Sequence, residues 1–314
     1  MDLHRLAASV RAHPGLQGKR VLAAVASALG GDGDDAAILD DGGAGSLVLA
    51  AEAILPAFLS SQPRAAGAAG VVTALNDLAA TAARPMAILD TLVAGSETLI
   101  VEALEGLRNA AALYGVPVVG GHTTLAAGDP SLATFAVGRA LAPLRAAAAR
   151  PGDAVCLAAC LEGALLDGPD GLSFFSHLRG PRRQRAAADL AVVREAAEAG
   201  EAWAARDVSM PGAPGSLLQL MESAGGLGCA LRVDLLPRPA EVPLGRWLVT
   251  FPSYGFLLVG DPESLAARFA AAGLACARVG TLDDSGRLRL SDGRQEAEVW
   301  DLAAEPLTGL APTT

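Results

Sequence analysis

Gly31-Asp32-Gly33-Asp34-Asp35-Ala36-Ala37-Ile38-Leu39 is the stretch on which the organisation of this chain turns. Before it, apolar periodicity predicts a helix over 19–29, closed by Gly30-Gly31 at the position where a left-handed cap is common. After it, 36–39 and 46–53 read as short strands joined by a turn through Asp40, Asp41, Gly42 and Gly43. An acidic loop therefore lies between a helix end and a hairpin. Its carboxylates crowd one another, and two unit charges about 4 Å apart repel by about 4 kcal/mol at an effective dielectric of about 20. Solvent or a divalent cation must offset that repulsion. A solvated Asp- and Gly-rich turn fits the spacing as well as a metal site does.

Downstream, 64–83 reads as a helix of small and apolar residues that should be buried, with Asn76 and Asp77 as its polar pair. An ionised Asp77 in such a helix must face solvent, find a partner, bind a metal or take up a proton. Asn76 offers a neutral donor or acceptor to a ligand. A strand over 85–94, a helix over 96–114 and strands over 116–119 and 132–141 complete the first half. The 116–119 strand runs into Gly120-Gly121-His122-Thr123-Thr124. Paired glycines there let backbone amides approach a phosphate, with His122 beside it, and an ordinary strand-ending turn fits equally.

Pro151-Gly152 interrupts the pattern before a new strand-like run at Ala154, which puts a domain boundary near 150 and gives domains of 1–150 and 151–314. Helices are expected over 182–199, 215–223 and 262–272, and strands over 228–233, 255–259 and 276–281. Asp207-Val208-Ser209-Met210-Pro211-Gly212 precedes one of these helices, where Asp207 and Ser209 either reach a cleft or close a turn. Within 162–185, Phe174, Phe175, His177, Arg182 and Arg183 suit either an anionic substrate or a core with a solvated helix start.

Taken in order, these elements resemble the aminoimidazole ribonucleotide (AIR) synthase superfamily, which includes thiamine-monophosphate kinase and selenophosphate synthetase. Gly33-Asp34-Asp35-Ala36-Ala37-Ile38-Leu39 is similar to the family's acidic metal-binding segment, and Asn76-Asp77-Leu78-Ala79-Ala80 to its helix with a metal-binding aspartate. Gly120-Gly121-His122-Thr123 resembles its glycine turn, Pro151-Gly152-Asp153 the opening of its second domain, and Asp207-Val208-Ser209 its second-domain aspartate-serine element. Phe251-Pro252-Ser253-Tyr254-Gly255 looks like an AIR synthase-related subfamily. The resemblance implies a two-domain α/β (α+β) fold whose amino-terminal sheet pairs with a second copy into a barrel, beside a carboxy-terminal sheet flanked by helices.

It also implies ATP and Mg²⁺ as ligands. Asp35, Glu52, Asp77 and Asp207 would hold metal, and Asn76, Gly121, Arg145 and Ser209 would contact the nucleotide. Asp77 would act on the transferring phosphoryl group, and His122 would either contact the nucleotide or stabilise that group. A small, anionic acceptor is expected, with a kinase, a phosphate-releasing cyclase or ligase, and a nucleotide-binding scaffold as the alternatives. Departures are plain: Ala50-Ala51-Glu52 stands where the kinases carry Thr-Thr-Asp or Ser-Thr-Asp, and His122 where they carry an aspartate. No cysteine precedes Cys156, which disfavours selenide chemistry.

Composition narrows the partners. A net charge of −10 repels nucleic-acid phosphate, and no basic run compensates for it. The most apolar stretch, 45–59, is too short to span a bilayer and contains Glu52 and Pro56, and the first fourteen residues do not read as a signal peptide. A cytoplasmic protein with reduced, buried cysteines is expected.

Overall fold

The structure, a computed structural model, describes residues 2–31, 33–168 and 171–310; Asp32 of the acidic loop lies outside the described residues. The chain opens with α1 (Leu3–Ala12), α2 (Pro14–Gln17) and α3 (Leu22–Leu29), followed by β1 (Ala37–Leu39), β2 (Ser46–Ile54), α4 (Pro56–Ser61) and α5 (Pro63–Ala80). Next come β3 (Arg84–Ala94), α6 (Glu97–Tyr114), β4 (Val118–Leu125), β5 (Ser131–Ala140), β6 (Ala154–Ala159), β7 (Ala164–Asp167), β8 (Ser173–Ser176) and α7 (Ala186–Glu198). The remainder is β9 (Ala202–Asp207), α8 (Gly212–Ser223), β10 (Gly228–Arg232), α9 (Leu244–Trp247), β11 (Thr250–Pro252), β12 (Gly255–Gly260), α10 (Pro262–Ala271), β13 (Ala275–Asp283), β14 (Arg287–Ser291) and β15 (Glu296–Asp301).

Two compact units result. One holds the described residues of Asp35–Pro143 and Pro181–Glu195, and the other those of Met1–Asp34, Leu144–Gly180 and Ala196–Thr314. This partition departs from 1–150 and 151–314 for a packing reason. Leu3, Ala7 and Val10 of α1 are buried in the same cluster as Val299 and Trp300 of β15, so the amino-terminal helices belong with the later strands. Residues 181–185 pack against α6 and so join the earlier ones.

In the first of these units the sheet order is β1-β2-β5-β3-β4. β3 and β4 are parallel, joined through α6, and the other neighbours are antiparallel. Small residues let α5 and α6 touch backbone to backbone: a Cβ at Gly67 would lie 1.9 Å from the Ala103 carbonyl oxygen, and one at Gly106 1.9 Å from that of Arg64. α6 starts where Ser96 accepts the Leu99 N–H at 3.2 Å and stops at Gly115, which adopts the left-handed conformation. α5 is buried continuously from Gly70 to Ala80, as its composition predicts.

Residues opposite one another on neighbouring strands project from the same face. Glu52, Thr134, Asp90 and Gly121 therefore form one row across β2, β5, β3 and β4. That row faces α5, because the Thr134 hydroxyl donates to the Gly70 carbonyl at 2.7 Å. On the open face stand Leu39, Leu49, Leu89 and Phe135, each between 39% and 50% exposed. The expected turn at Gly120-Gly121 is instead strand: β4 runs on to Leu125, and Leu89 and Asp90 pair with the two glycines.

The second unit is a seven-stranded sheet, β15-β14-β10-β13-β6-β12-β9, with a small sheet β11-β8-β7. Its core joins Leu217, Leu220 and Met221 of α8 to Leu257, Val279, Leu288 and Trp300 of the sheet. No helix among the described residues is long and apolar enough to cross a membrane.

Candidate functional site

Asp35 and Asp77 meet within the five-stranded unit. Asp35 lies two residues before β1 and is half-buried, Asp77 is 7% exposed on α5, and each offers a carboxylate oxygen within 4.8 Å of the other. At that separation two ionised groups repel by about 3.5 kcal/mol at an effective dielectric of about 20. A hard dication suits the pair, since oxygens on opposite sides of Mg²⁺ lie about 4.2 Å apart and Ca²⁺ accepts somewhat more. Asn76 is fully buried beside Asp77, and Glu52 is half-buried on the same side of the sheet as α5.

His122 stands elsewhere. It pairs with Thr91, one residue out of phase with Asp90 and Gly121, so its side chain leaves the open face, where Thr124 Oγ1 lies 3.3 Å from its Nε2. The sheet separates His122 from α5 and Asp77.

In the seven-stranded unit, Asp207 ends β9 and is 4% exposed. Ser209 follows in the turn before α8, where its N–H donates to Ser216 Oγ at 3.0 Å. Arg145 is exposed. The same unit fastens the acidic loop. Arg206 Nη1 and Ser223 Oγ both donate to the Gly33 carbonyl, at 2.8 and 2.9 Å, and Asp34 Oδ2 accepts the Ala146 N–H at 3.0 Å. Gly33 has φ +72°, and a Cβ there would meet Ser223 Oγ at 2.8 Å and Leu310 Cβ at 3.0 Å, so conformation and space both demand glycine. Arg206 and Ser223 carry no sequence signal for this role, since their target is a backbone carbonyl far away in the chain.

Asp90 carries a sequence signal of its own: it occupies the inward position between Ile88 and Leu92 in an alternating strand. It is 6% exposed, its Oδ1 has no hydrogen-bond partner, and burial raises its pKa above the ordinary 3.8. Its other oxygen lies 2.5 Å from where a Gly121 Cβ would be, which explains that glycine without a phosphate. A carboxyl raised in the folded state costs nothing while protonated in both states, and it destabilises as pH climbs from 3.8 toward the raised value. Asp90→Asn should accordingly melt higher than wild type at neutral pH, with the difference closing as pH falls toward 3.8. Calorimetric melting across pH checks both the sign and the closure.

Within 162–185, Phe175 and Arg182 serve structure. Phe175 is 1% exposed and packs edge-on against Trp247 at 5.5 Å. Arg182 makes a two-pronged pair with the buried Asp189, at 3.0 and 2.6 Å. Cys156, Cys160 and Cys229 are buried thiols outside any disulfide, with burial pushing Cys229 up to about 12, while Cys276 is half-buried.

A family model for the AIR synthase related protein, N-terminal domain, matches residues 33–140, the span that carries Asp35, Glu52, Asp77 and the β4 glycines. An uncharacterized protein of Synechocystis sp. is 32% identical over 295 residues, covering 88% of this chain and 86% of that one. The chain belongs to the AIR synthase-related family. Another AIR synthase-related match is the phosphoribosylformylglycinamidine synthase subunit PurL of Pyrobaculum aerophilum, 30% identical over 77% of this chain but only 37% of that protein. Among solved structures, T. maritima PurL complexed with ATP superposes with a TM-score of 0.71 at 22% identity, over 90% of this chain and 47% of that one. This AIR synthase-related chain thus spans 37% and 47% of these two PurL proteins.

Proposed function

We propose that this AIR synthase-related protein binds a magnesium-complexed purine nucleotide, ATP, and uses it for phosphoryl transfer to a small anionic molecule. The observation that carries this reading is the Asp35–Asp77 pair, two carboxylates within 4.8 Å, one of them buried in a helix of small residues. Asp35, Asp77 and Asp207, with Glu52, would hold the metal. Mg²⁺ held there would supply neutralisation of the charge that develops on the transferred phosphoryl group. Asn76, Gly121, Arg145 and Ser209 are assigned to the nucleotide. His122, on the far side of the sheet, is assigned no step in this scheme.

The open face of the five-stranded sheet supports a homodimer. Four large apolar side chains lie exposed on one sheet face, and pairing with a second copy would cover them. Phe135→Asp at the centre of that face should convert a sedimenting dimer to a monomer. Wild type sedimenting as a monomer at every concentration would overturn the pairing.

A second reading, an ATP-consuming ligase or cyclase that releases phosphate, is favoured by the 30% identity to a PurL synthase subunit. The two separate in one assay, in which Mg²⁺ and ATP are offered with a panel of small anions while free phosphate and phosphorylated product are followed together. Product without phosphate release supports the kinase, and phosphate release that requires a second substrate supports the ligase. ATP binding with neither outcome across the panel would replace both with a nucleotide-binding scaffold.

A further inference from the structure

Parallel pairing of β8 with β11, which places Phe175 opposite Pro252, brings the residues just beyond both strands together. There the His177 backbone N–H donates to Ser253 Oγ at 2.9 Å, and the same oxygen lies 2.7 Å from His177 Nδ1. The imidazole is 1% exposed and is held edge-on by Tyr254 at 6.0 Å, whereas Ser253 itself is half-buried. Ser253 N donates to the Phe175 carbonyl at 2.8 Å, which fixes the turn. A base buried behind a more accessible hydroxyl, within hydrogen-bond reach of it, is the arrangement of an activated nucleophile.

Location gives the dyad its chemistry. β12 pairs with β9 so that Phe256 faces Asp207, and the Val208 N–H donates to the Gly255 carbonyl at 2.8 Å. Ser253 and Tyr254 form the bend that joins β11 to β12, two residues before the Gly255 that pairs with the chain leaving Asp207. The bend that carries the hydroxyl therefore leads straight into the strand paired with the end of β9 at Asp207, within one compact unit.

We infer that Ser253 is a nucleophilic serine, activated by His177, that accepts a phosphoryl group from a nucleoside triphosphate. The inference rests on the nucleotide reading above. In the step, the Ser253 proton passes to His177 Nδ1 and an Oγ lone pair forms the bond to the γ-phosphorus. The bond from that phosphorus to the bridging oxygen breaks, and its electron pair leaves with the nucleoside diphosphate. The His177 N–H stabilises the developing alkoxide, and the new phosphoserine dianion pairs with the imidazolium, which offsets the cost of burying that cation.

The test incubates the full chain with Mg²⁺ and ATP and maps phosphate by mass spectrometry, beside calorimetric ATP binding on the same samples. Phosphoserine at 253 is expected, absent in Ser253→Ala and formed about a hundredfold more slowly in His177→Gln, which keeps a polar group but cannot take the proton. ATP bound with Ser253 unmodified would overturn the inference and leave the nucleotide site standing. A fluorophosphonate, which phosphonylates activated serines without a nucleotide, separates the remaining failure. If ATP does not bind, selective labelling of Ser253 that slows in His177→Gln preserves the nucleophile and removes only its donor. Labelling no faster than at other exposed serines would overturn the nucleophile as well.

Discussion

Glu222→Ala should lower the stability of the seven-stranded unit by about 3 kcal/mol and loosen the acidic loop with it. Glu222, near the end of α8, is 8% exposed and gathers the segment that follows β15. Its Oε1 accepts the N–H groups of Leu307 at 2.8 Å and Gly309 at 3.2 Å, and its Oε2 accepts the Thr308 N–H at 2.9 Å and the Thr308 hydroxyl at 2.5 Å. Alanine would strip one acceptor group from four donors, three of them backbone N–H groups that have to find water or another partner. Each buried donor left unpaired costs about 1–3 kcal/mol, and partial peeling of the segment returns some of that. The segment carries Leu310 onto Gly33, so its release also removes the wall against which the acidic loop rests. Thermal unfolding reads the first effect, and a weaker response of Mg²⁺ binding in Glu222→Ala than in wild type reads the second. Glu222→Gln, which keeps one good acceptor oxygen, should fall between the two. An unchanged melting temperature in Glu222→Ala would show that the segment is held by its apolar side chains alone.

Much of this architecture was legible because local chemistry and tertiary packing agree. The small-residue helix carrying Asp77, the Ser96 start and Gly115 stop of α6, and the inward alternation of β2 and β5 all follow from residues a few positions apart. The carboxylate pair drew notice for a different reason: Asp77 is a charge that a buried helix of alanines and leucines has to explain. Sequence and structure part where one residue type serves two purposes. Gly120-Gly121 looked like a turn, yet Gly121 is a strand residue kept bare by the Asp90 carboxyl of the neighbouring strand, a cause invisible until β3 and β4 are in register. His122 shared a motif with those glycines, but strand alternation sends its side chain to the opposite face. The fastening of Gly33 by Arg206, Ser223 and Leu310 joins residues about 175 to 280 positions apart, and no periodicity encodes a contact of that kind. The membership of α1 in the later sheet was hidden likewise, since its apolar stripe says that it packs without saying on what.

Asp77→Asn is the substitution whose two effects should have opposite signs. Asparagine keeps the size and one oxygen of the side chain and removes its charge. Without ligand, the change relieves the repulsion from Asp35, about 3.5 kcal/mol at an effective dielectric of about 20 before solvent relaxation, so the protein should melt at the same temperature or higher. With ligand, one of the carboxylates facing the dication is lost, and Mg²⁺-dependent affinity should fall by about 3 kcal/mol, roughly a hundredfold. A residue held for packing would show the reverse pattern, with stability lost and binding kept. Asp207→Asn adds a second arm, because equal loss there would mean that the seven-stranded unit supplies a ligand to the same ion.

Calorimetric titration of ATP, with and without Mg²⁺, into wild type and Asp77→Asn is the most direct test. Wild type should bind ATP in the presence of Mg²⁺ and lose most of that affinity without it, while Asp77→Asn should bind weakly under both conditions and remain folded. Absence of binding to wild type, or equal Mg²⁺-dependent binding to a folded Asp77→Asn, would contradict the account and leave the shared fold without the nucleotide site.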